Sequence, residues 1–331
     1  MKKLLCTMVL LVVLFASQSC FAGYIEAWGD DEYGQCSGPN SSPDSNFIAV
    51  AGGYCYTIAI RDDGTLTGCG CNWLGQIDVP DGNDYVAIVG GGMHTYALKS
   101  GGSIVAWGPN NAGQLDVPDG NDFVAIHAGG SNGYALRENS TLEGWGLNNY
   151  GQSDVPDGND FVAVHGGNNH GIAIREDGSI IAWGRDDEGQ CTGPNSCGDS
   201  NFVAVAAGSY HSVAMREDGS LVAWGDNSEG QCDVPSGNDF VALEKHFALK
   251  SDGSIVVWGD DYYGQVSSAP EDDGYTNISR GVYHYLAMKP ACTQAIEGDI
   301  NGDCKVDFKD LAIMMDHWLE CNRDIPGSCD M

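Results

Sequence analysis

The sequence predicts an all-β protein, a seven-bladed β-propeller with shared-blade closure, followed by a small C-terminal loop-helix calcium module. Three observations carry that expectation. Trp-Gly recurs at Trp28, Trp107, Trp145, Trp183, Trp224 and Trp258, each Trp followed six residues later by Gly-Gln, and a seventh copy keeps Gly75-Gln76 behind Cys69-Gly70. The marks Gln35, Gln76, Gln114, Gln152, Gln190, Gln231 and Gln265 fall 41, 38, 38, 38, 41 and 34 residues apart, a period that belongs to repeat architectures. Within a unit, short alternating runs (FVAV, HSVAMRE, SLVAWG over 202–225) flank Asp-Gly pairs such as Asp63-Gly64, Asp177-Gly178, Asp218-Gly219 and Asp252-Gly253, as tight hairpins with positive φ require. Each unit is thus a sheet of three or four antiparallel strands. One such sheet cannot bury both faces, so seven must pack around an axis, and closing the circle protects the edges.

Taken in order, residues 1–22 carry Lys2 and Lys3, an apolar stretch from Leu4 to Ala16 and a small-residue end at Ala22. That is the pattern of a secretory signal peptide, too short for a membrane span, so the expected location is secreted or cell-surface. Cys20 leaves open a lipid-modified N-terminus. The propeller is expected over 23–290. It opens in mid-unit with YIEAWGDDEYGQ (24–35) and ends in mid-unit with YTNISRGVYHYLAMKP (275–290). The final segment supplies the first two strands of a unit and the opening segment supplies the rest, which ties down both ends. The first and fifth intervals carry insertions, GPNSSPDSNF and GPNSCGDSNF, expected as longer loops, and the last is short because LEKHFALK (243–250) lacks the Gly-rich turn seen elsewhere as AAGSYHS.

The pattern FVAVAAGSYHSVAMREDGSLVAWGDNSEGQCDVP resembles the repeat of the regulator-of-chromosome-condensation (RCC1) family, whose members form seven-bladed propellers. The likeness covers roughly 24–290. With GQ…VP and AWG in an exported chain, it is similar to the bacterial propeller that inhibits β-lactamases. Eukaryotic members act on a small GTPase and on chromatin, roles that a signal peptide and an acidic surface argue against here.

Formal charge is −31, with 46 acidic and 15 basic residues. Without a basic stripe, nucleic acid and anionic membranes are not expected partners, and most of the acid reads as solvated turns such as DGND. His94, His170, His211 and His284 occupy one repeat position, filled elsewhere by Tyr56 and Asn132; such recurrence points to structural hydrogen bonding rather than a metal ring. The Trp of each Trp-Gly reads as core between blades. The loops between Trp-Gly and Gly-Gln vary freely and place Tyr33, Trp73, Tyr150, Tyr262 and Tyr263 on one expected rim beside carboxylates. Exposed aromatics with few rotamers suit contact with a protein or a glycan. The sequence shows no G-x-S-x-G nucleophile elbow, its GGSNG string (129–133) being the Gly-rich turn of a repeat, and no H-E-x-x-H or P-loop, and so no catalytic motif; a carboxylate pair assembled from different blades would leave no linear trace.

Thirteen cysteines become eleven after leader removal, seven before residue 290 and four after it. Export permits disulfides. Cys191 and Cys197 bracket one insertion and could close it, whereas Cys69 and Cys71 are too near each other along a strand. In the tail, 291–331, Asp299, Asn301, Asp303, Lys305, Asp307 and Asp310 stand at positions one, three, five, seven, nine and twelve of DINGDCKVDFKD. That is calcium-loop spacing, with Lys305 offering its backbone carbonyl, so Ca2+ is the expected cofactor. Phe308, Leu311, Met315 and Trp318 then share one helical face. Loop and helix resemble a single dockerin repeat, which implies attachment to a cohesin-like scaffold. Cys304 stands where Gly eases the turn, a second repeat is missing, and Phe308 and Lys309 replace the small hydroxyl residues often used for recognition. The expectation is a secreted, non-catalytic, monomeric propeller that binds a protein or glycan, with a calcium-binding tail for attachment. The alternatives are a component of extracellular polysaccharide breakdown, as enzyme or accessory, and an inhibitor of a secreted enzyme.

Overall fold

The computed structural model describes residues 23–40 and 46–290. The expected leader (1–22) and the tail (291–331), with its six candidate calcium ligands and four cysteines, lie outside the described residues. Strand β1 is Gly23–Gly29. Six three-stranded units follow: β2–β4 (Phe47–Gly52, Tyr56–Arg61, Leu66–Gly70), β5–β7 (Tyr85–Gly90, Thr95–Lys99, Ile104–Trp107) and β8–β10 (Phe123–Ala128, Asn132–Arg137, Leu142–Gly146), then β11–β13 (Phe161–Gly166, His170–Arg175, Ile180–Gly184), β14–β16 (Phe202–Ala207, His211–Arg216, Leu221–Gly225) and β17–β19 (Phe240–Leu243, Phe247–Lys250, Ile255–Val257). The seventh unit joins β20 (Asn277–Arg280) and β21 (His284–Pro290) to β1, whose seven residues pair antiparallel with β21 from Gly23↔Pro290 to Gly29↔His284. The first strands β2, β5, β8, β11, β14, β17 and β20 each neighbour the next, and β20 neighbours β2, so the units form a closed ring.

Two residue types recur because they tie a unit to itself and to the next. The Gln side chain folds back to accept the backbone N–H two residues earlier in all seven copies, from Tyr33 (3.0 Å) to Tyr263 (2.7 Å). Its backbone carbonyl accepts the indole N–H of the next unit's Trp, as in Trp107 to Gln76 at 2.9 Å and Trp28 to Gln265 at 2.9 Å. The segment around Gln is therefore a side-chain-closed turn that adds no fourth strand; five sheets stop at three strands, while the seventh and first units are joined into one six-stranded sheet by the Gly23↔Phe47 pair between β1 and β2.

After the two insertions a hydroxyl replaces the indole: Gln35 O accepts from Thr57 Oγ1 and Gln190 O from Ser212 Oγ, both at 2.9 Å. Those insertions are more than loops. They contain short helices α1 (Ser37–Asn40) and α2 (Thr192–Ser196), whose Gly38 and Gly193 lie against Cys69 and Trp224. The helix also separates the bracketing cysteines: Cys191 and Cys197 are free, and the disulfide among the described residues is Cys55–Cys71, with Cα atoms 5.6 Å apart.

The core is divided between neighbouring units, with clusters such as Ile58, Ile60, Tyr85 and Trp107 bridging the first and second. His94, His170, His211 and His284 are buried and reach into the following unit. His170 Nε2 lies 3.1 Å from Ser212 Oγ, His211 Nε2 3.2 Å from Lys245 O and His284 Nε2 3.0 Å from Thr57 Oγ1. At the far end of every second strand, a Lys or Arg covers the aromatic ring that opens the first strand or, in the seventh unit, just precedes it, from Arg61 over Phe47 (5.3 Å) to Lys289 over Tyr275 (4.3 Å). Seven basic residues are engaged there, far from the aromatic loops.

Candidate functional site: an aromatic face around the ring axis

Antiparallel pairing fixes which loops share an end of the ring. In the fifth unit Ala207 pairs with Ser212 and His211 with Gly225. The turn after each first strand therefore lies at the same end as the loop after each Trp-Gly. That end collects Tyr33, Trp73, Tyr150, Tyr262 and Tyr263 from the long loops and Tyr54, Tyr210 and Tyr283 from the short turns, whose recurrence was not apparent from the variable loops alone.

The rings form ladders. Tyr33 meets Trp73 edge-on at 4.8 Å between centroids. Tyr262, Tyr263, Tyr283 and Tyr54 follow one another at 4.8, 4.5 and 5.1 Å. Tyr150 belongs to a separate group: the Arg185 guanidinium stands 5.2 Å from its ring and 5.0 Å from that of Tyr210, and is paired with Asp187 at 2.6 Å. Trp73 is 58% and Tyr262 82% exposed, which marks them as the rings with most area left to cover.

The loops that carry these rings are internally braced. Asp31 and Asp261 each accept two successive backbone N–H groups, those of Cys36 and Ser37 and of Val266 and Ser267, and Asn72 donates to Asp78 at 2.7 Å. Much of the acid here is thus loop scaffolding. The hydrogen bond with Glu32 pushes the Tyr33 phenol up, and the hydrogen bond with Tyr54 pushes Tyr283 up to about 12, so both phenols stay neutral at any ordinary pH.

Inside the aromatic rim the short turns form a collar of backbone hydrogen bonds. Val282 N–H donates to Gly53 O, Tyr54 to Gly92 O, Gly92 to Gly130 O, Gly130 to Gly167 O and Asn168 to Gly208 O. The collar runs from the seventh unit through the first to the fifth. The sixth unit has no counterpart, since its hairpin is shorter: Phe240 pairs with Lys250 where Phe47 pairs with Arg61, and its turn, closed by Glu244 N–H on Phe247 O at 2.8 Å, stops short of the collar.

Beside that gap, polar residues replace the small ones that end the first strands. Where other units have Ala51-Gly52, Val89-Gly90 and Ala206-Ala207, the third and fourth have His127 and His165, the sixth has Glu244-Lys245, and the seventh has Ser279-Arg280. Arg280 Nε lies 3.4 Å from Glu244 Oε2, which lies 3.8 Å from His165 Nε2. The His127 and His165 ring centroids lie 3.6 Å apart, with the rings tilted by 37°. Alignment of the units at these two adjacent register positions would have exposed the cluster in the sequence; the search for linear motifs passed over it. Among the described residues, no group of three or more His, Cys, Asp or Glu is arranged to hold a metal ion.

The comparisons with known proteins agree with this geometry. Prp20p from Saccharomyces cerevisiae, studied with its binding to Gsp1p and histones, is similar in fold with a TM-score of 0.70 at 15% identity, covering 97% of this chain and 98% of its own. Yeast RCC1 (Prp20) bound to Kap60 gives 0.68 at 16% identity, covering 90% and 93%. The ectodomain of the Arabidopsis thaliana receptor kinase ACR4 gives 0.60 at 19% identity, covering 76% and 95%. No curated protein matches the chain in sequence. Residues 161–190 and 202–231 match the regulator of chromosome condensation (RCC1) repeat, and the chain thus carries RCC1 repeats on a propeller of the RCC1 fold.

Proposed function

We propose that the protein is a non-catalytic seven-bladed binding propeller whose aromatic face receives a protein partner. The observation that carries this reading is the pair of ring ladders, Tyr33–Trp73 and Tyr262–Tyr263–Tyr283–Tyr54, held on braced loops at one end of the ring. Rigid rings with few torsions lose little entropy on contact and supply the anchors that dominate protein interfaces. Binding to Gsp1p, histones and Kap60 by the yeast relatives supports the use of this fold as a protein-binding platform.

The leader and tail complete the proposal: export through residues 1–22, and calcium held by Asp299, Asn301, Asp303, Lys305, Asp307 and Asp310 to dock the chain on a scaffold. The test is capture from the secreted fraction of the producing organism, comparing the mature chain, a chain ending at Pro290, and Trp73→Ala with Tyr262→Ala, each with calcium and with chelator. A protein retained by the truncated chain and lost from the aromatic variant supports the reading. Capture that follows the tail and calcium alone, or retention of a glycan instead, would overturn it for the face.

A further inference from the structure

We propose that the axial cluster of His127, His165 and Arg280, entered through the gap in the collar, is a carboxylate-binding site. This deepens the reading above: the carboxylate would be an acidic side chain or chain end of the partner seated on the aromatic face.

The donors are fixed by the backbone. Gly166 N–H donates to His127 Nδ1 and Ala207 N–H to His165 Nδ1, both at 3.0 Å. A neutral imidazole that accepts at Nδ1 carries its proton on Nε2, so both rings offer an Nε2–H donor. The same tautomer is wrong for a metal, which needs a lone pair at that nitrogen. Burial, first among the influences on both, and neighbouring positive charge keep both rings far below their usual pKa and hence neutral. His165 Nε2 is buried with no hydrogen-bond partner among the described residues, on a side chain only 9% exposed. An unsatisfied buried donor is costly.

The resident acceptor is insufficient. Among the described residues Glu244 is the one carboxylate paired with Arg280, at 3.4 Å, and it stands too far from His165, at 3.8 Å, for a hydrogen bond. Arg280 also donates to Ala207 O at 3.3 Å. The guanidinium and two imidazole N–H groups thus outnumber their partners, and Arg280 and Glu244 keep 17% and 16% of their side-chain surface open.

The distribution of positive charge makes the same point. Seven basic residues are engaged over aromatic rings at the other end of the ring. Beyond them the described residues contain Arg185, Lys245 and Arg280. All three stand at the aromatic end, and two belong to the axial strand ends. With Glu244 inside the site and a net charge of −31 around it, a monoanion meets less repulsion than a phosphate or sulfate dianion. Planar pairing with guanidinium also suits a carboxylate.

The experiment is titration of the intact protein with acetate, followed through the ring 15N resonances of His127 and His165, with inorganic phosphate as the second arm. The expected result is a saturable shift of both rings with acetate, weaker binding of phosphate, and loss of the shift in Arg280→Gln. Glu244→Gln removes the competing charge and should tighten acetate by roughly tenfold, the effect of a nearby like charge worth about one pKa unit. A purely structural network would instead leave Glu244→Gln destabilised and indifferent to acetate. Absence of a saturable shift, or phosphate binding tighter than acetate, overturns the proposal. Either outcome is independent of partner capture, so failure here leaves the aromatic-face reading standing, and failure of capture leaves this site standing.

Discussion

Replacing His170 by Asn, the residue that the third unit carries at the same position as Asn132, should make the protein less stable at neutral pH and nearly equal to the parent at pH 5. His170 is fully buried, its Nε2 lies 3.1 Å from Ser212 Oγ, and burial holds its pKa down from 6.5 to about 4. Losing that hydrogen bond and some packing volume costs about 1–3 kcal/mol. The pH dependence then works against the parent. Because the folded pKa is depressed, the unfolded chain binds the extra proton between pH 6.5 and 4, and stability rises with pH through that window. On acidification from pH 7.5 to 5 this one group removes about 2 kcal/mol, and the loss levels off only about one pH unit below the folded pKa. Asn does not titrate, so the parent's advantage should shrink by about that amount. Turn carboxylates such as Asp63 and Asp218 are shifted below their usual range by Thr65 and Ser220, so their loss begins only at lower pH. Urea titrations at pH 7.5, 6 and 5, with proton uptake on unfolding, measure the difference. A stability gap that stays constant to within about 0.5 kcal/mol would refute a neutral buried imidazole.

Removing one inter-unit link, Trp107→Phe, strands Gln76 O without its 2.9 Å donor and should cost about 1–3 kcal/mol in chemical denaturation. Joint replacement of Cys55 and Cys71 by Ala opens a cross-link spanning 16 residues and should lower stability by about 3 kcal/mol, while Cys191→Ala with Cys197→Ala should change no disulfide count by mass. Trp73→Ala with Tyr262→Ala should leave the thermal midpoint within about 2 °C while abolishing capture. Calcium titration calorimetry should give heat with the whole mature chain and none with a chain ending at Pro290.

The ring was legible because its chemistry repeats: Gln closing its own turn and Trp reaching the preceding unit leave marks at a fixed period. The complementary half-units at 24–35 and 275–290 gave away the shared sheet for the same reason. The fourth strand was not there to be found, because side-chain bonds to Gln and Asn replace ladder bonds in that segment. Helices α1 and α2 were hidden by their shortness and by Gly and Pro. In the candidate site, aromatic identity was visible but grouping was not. Tyr33 touches Trp73 while Tyr150 joins Arg185 and Tyr210, contacts that depend on loop approach rather than spacing. The axial cluster escaped notice because His127, His165, Glu244 and Arg280 are far apart in the chain and meet only when seven first strands converge.

The pairing of β1 with β21 also sets a clock. Gly23–Gly29 is made first, yet its antiparallel partner His284–Pro290 is made last among the described strands. At synthesis rates of about 5–20 residues per second, the opening strand waits roughly 15–50 s for its mate. Until then the six complete units form an arc with two raw edges, each a template for another chain. The ring therefore cannot lock before the whole repeat array has been made, so order of synthesis, and not only packing, decides when the two edges disappear.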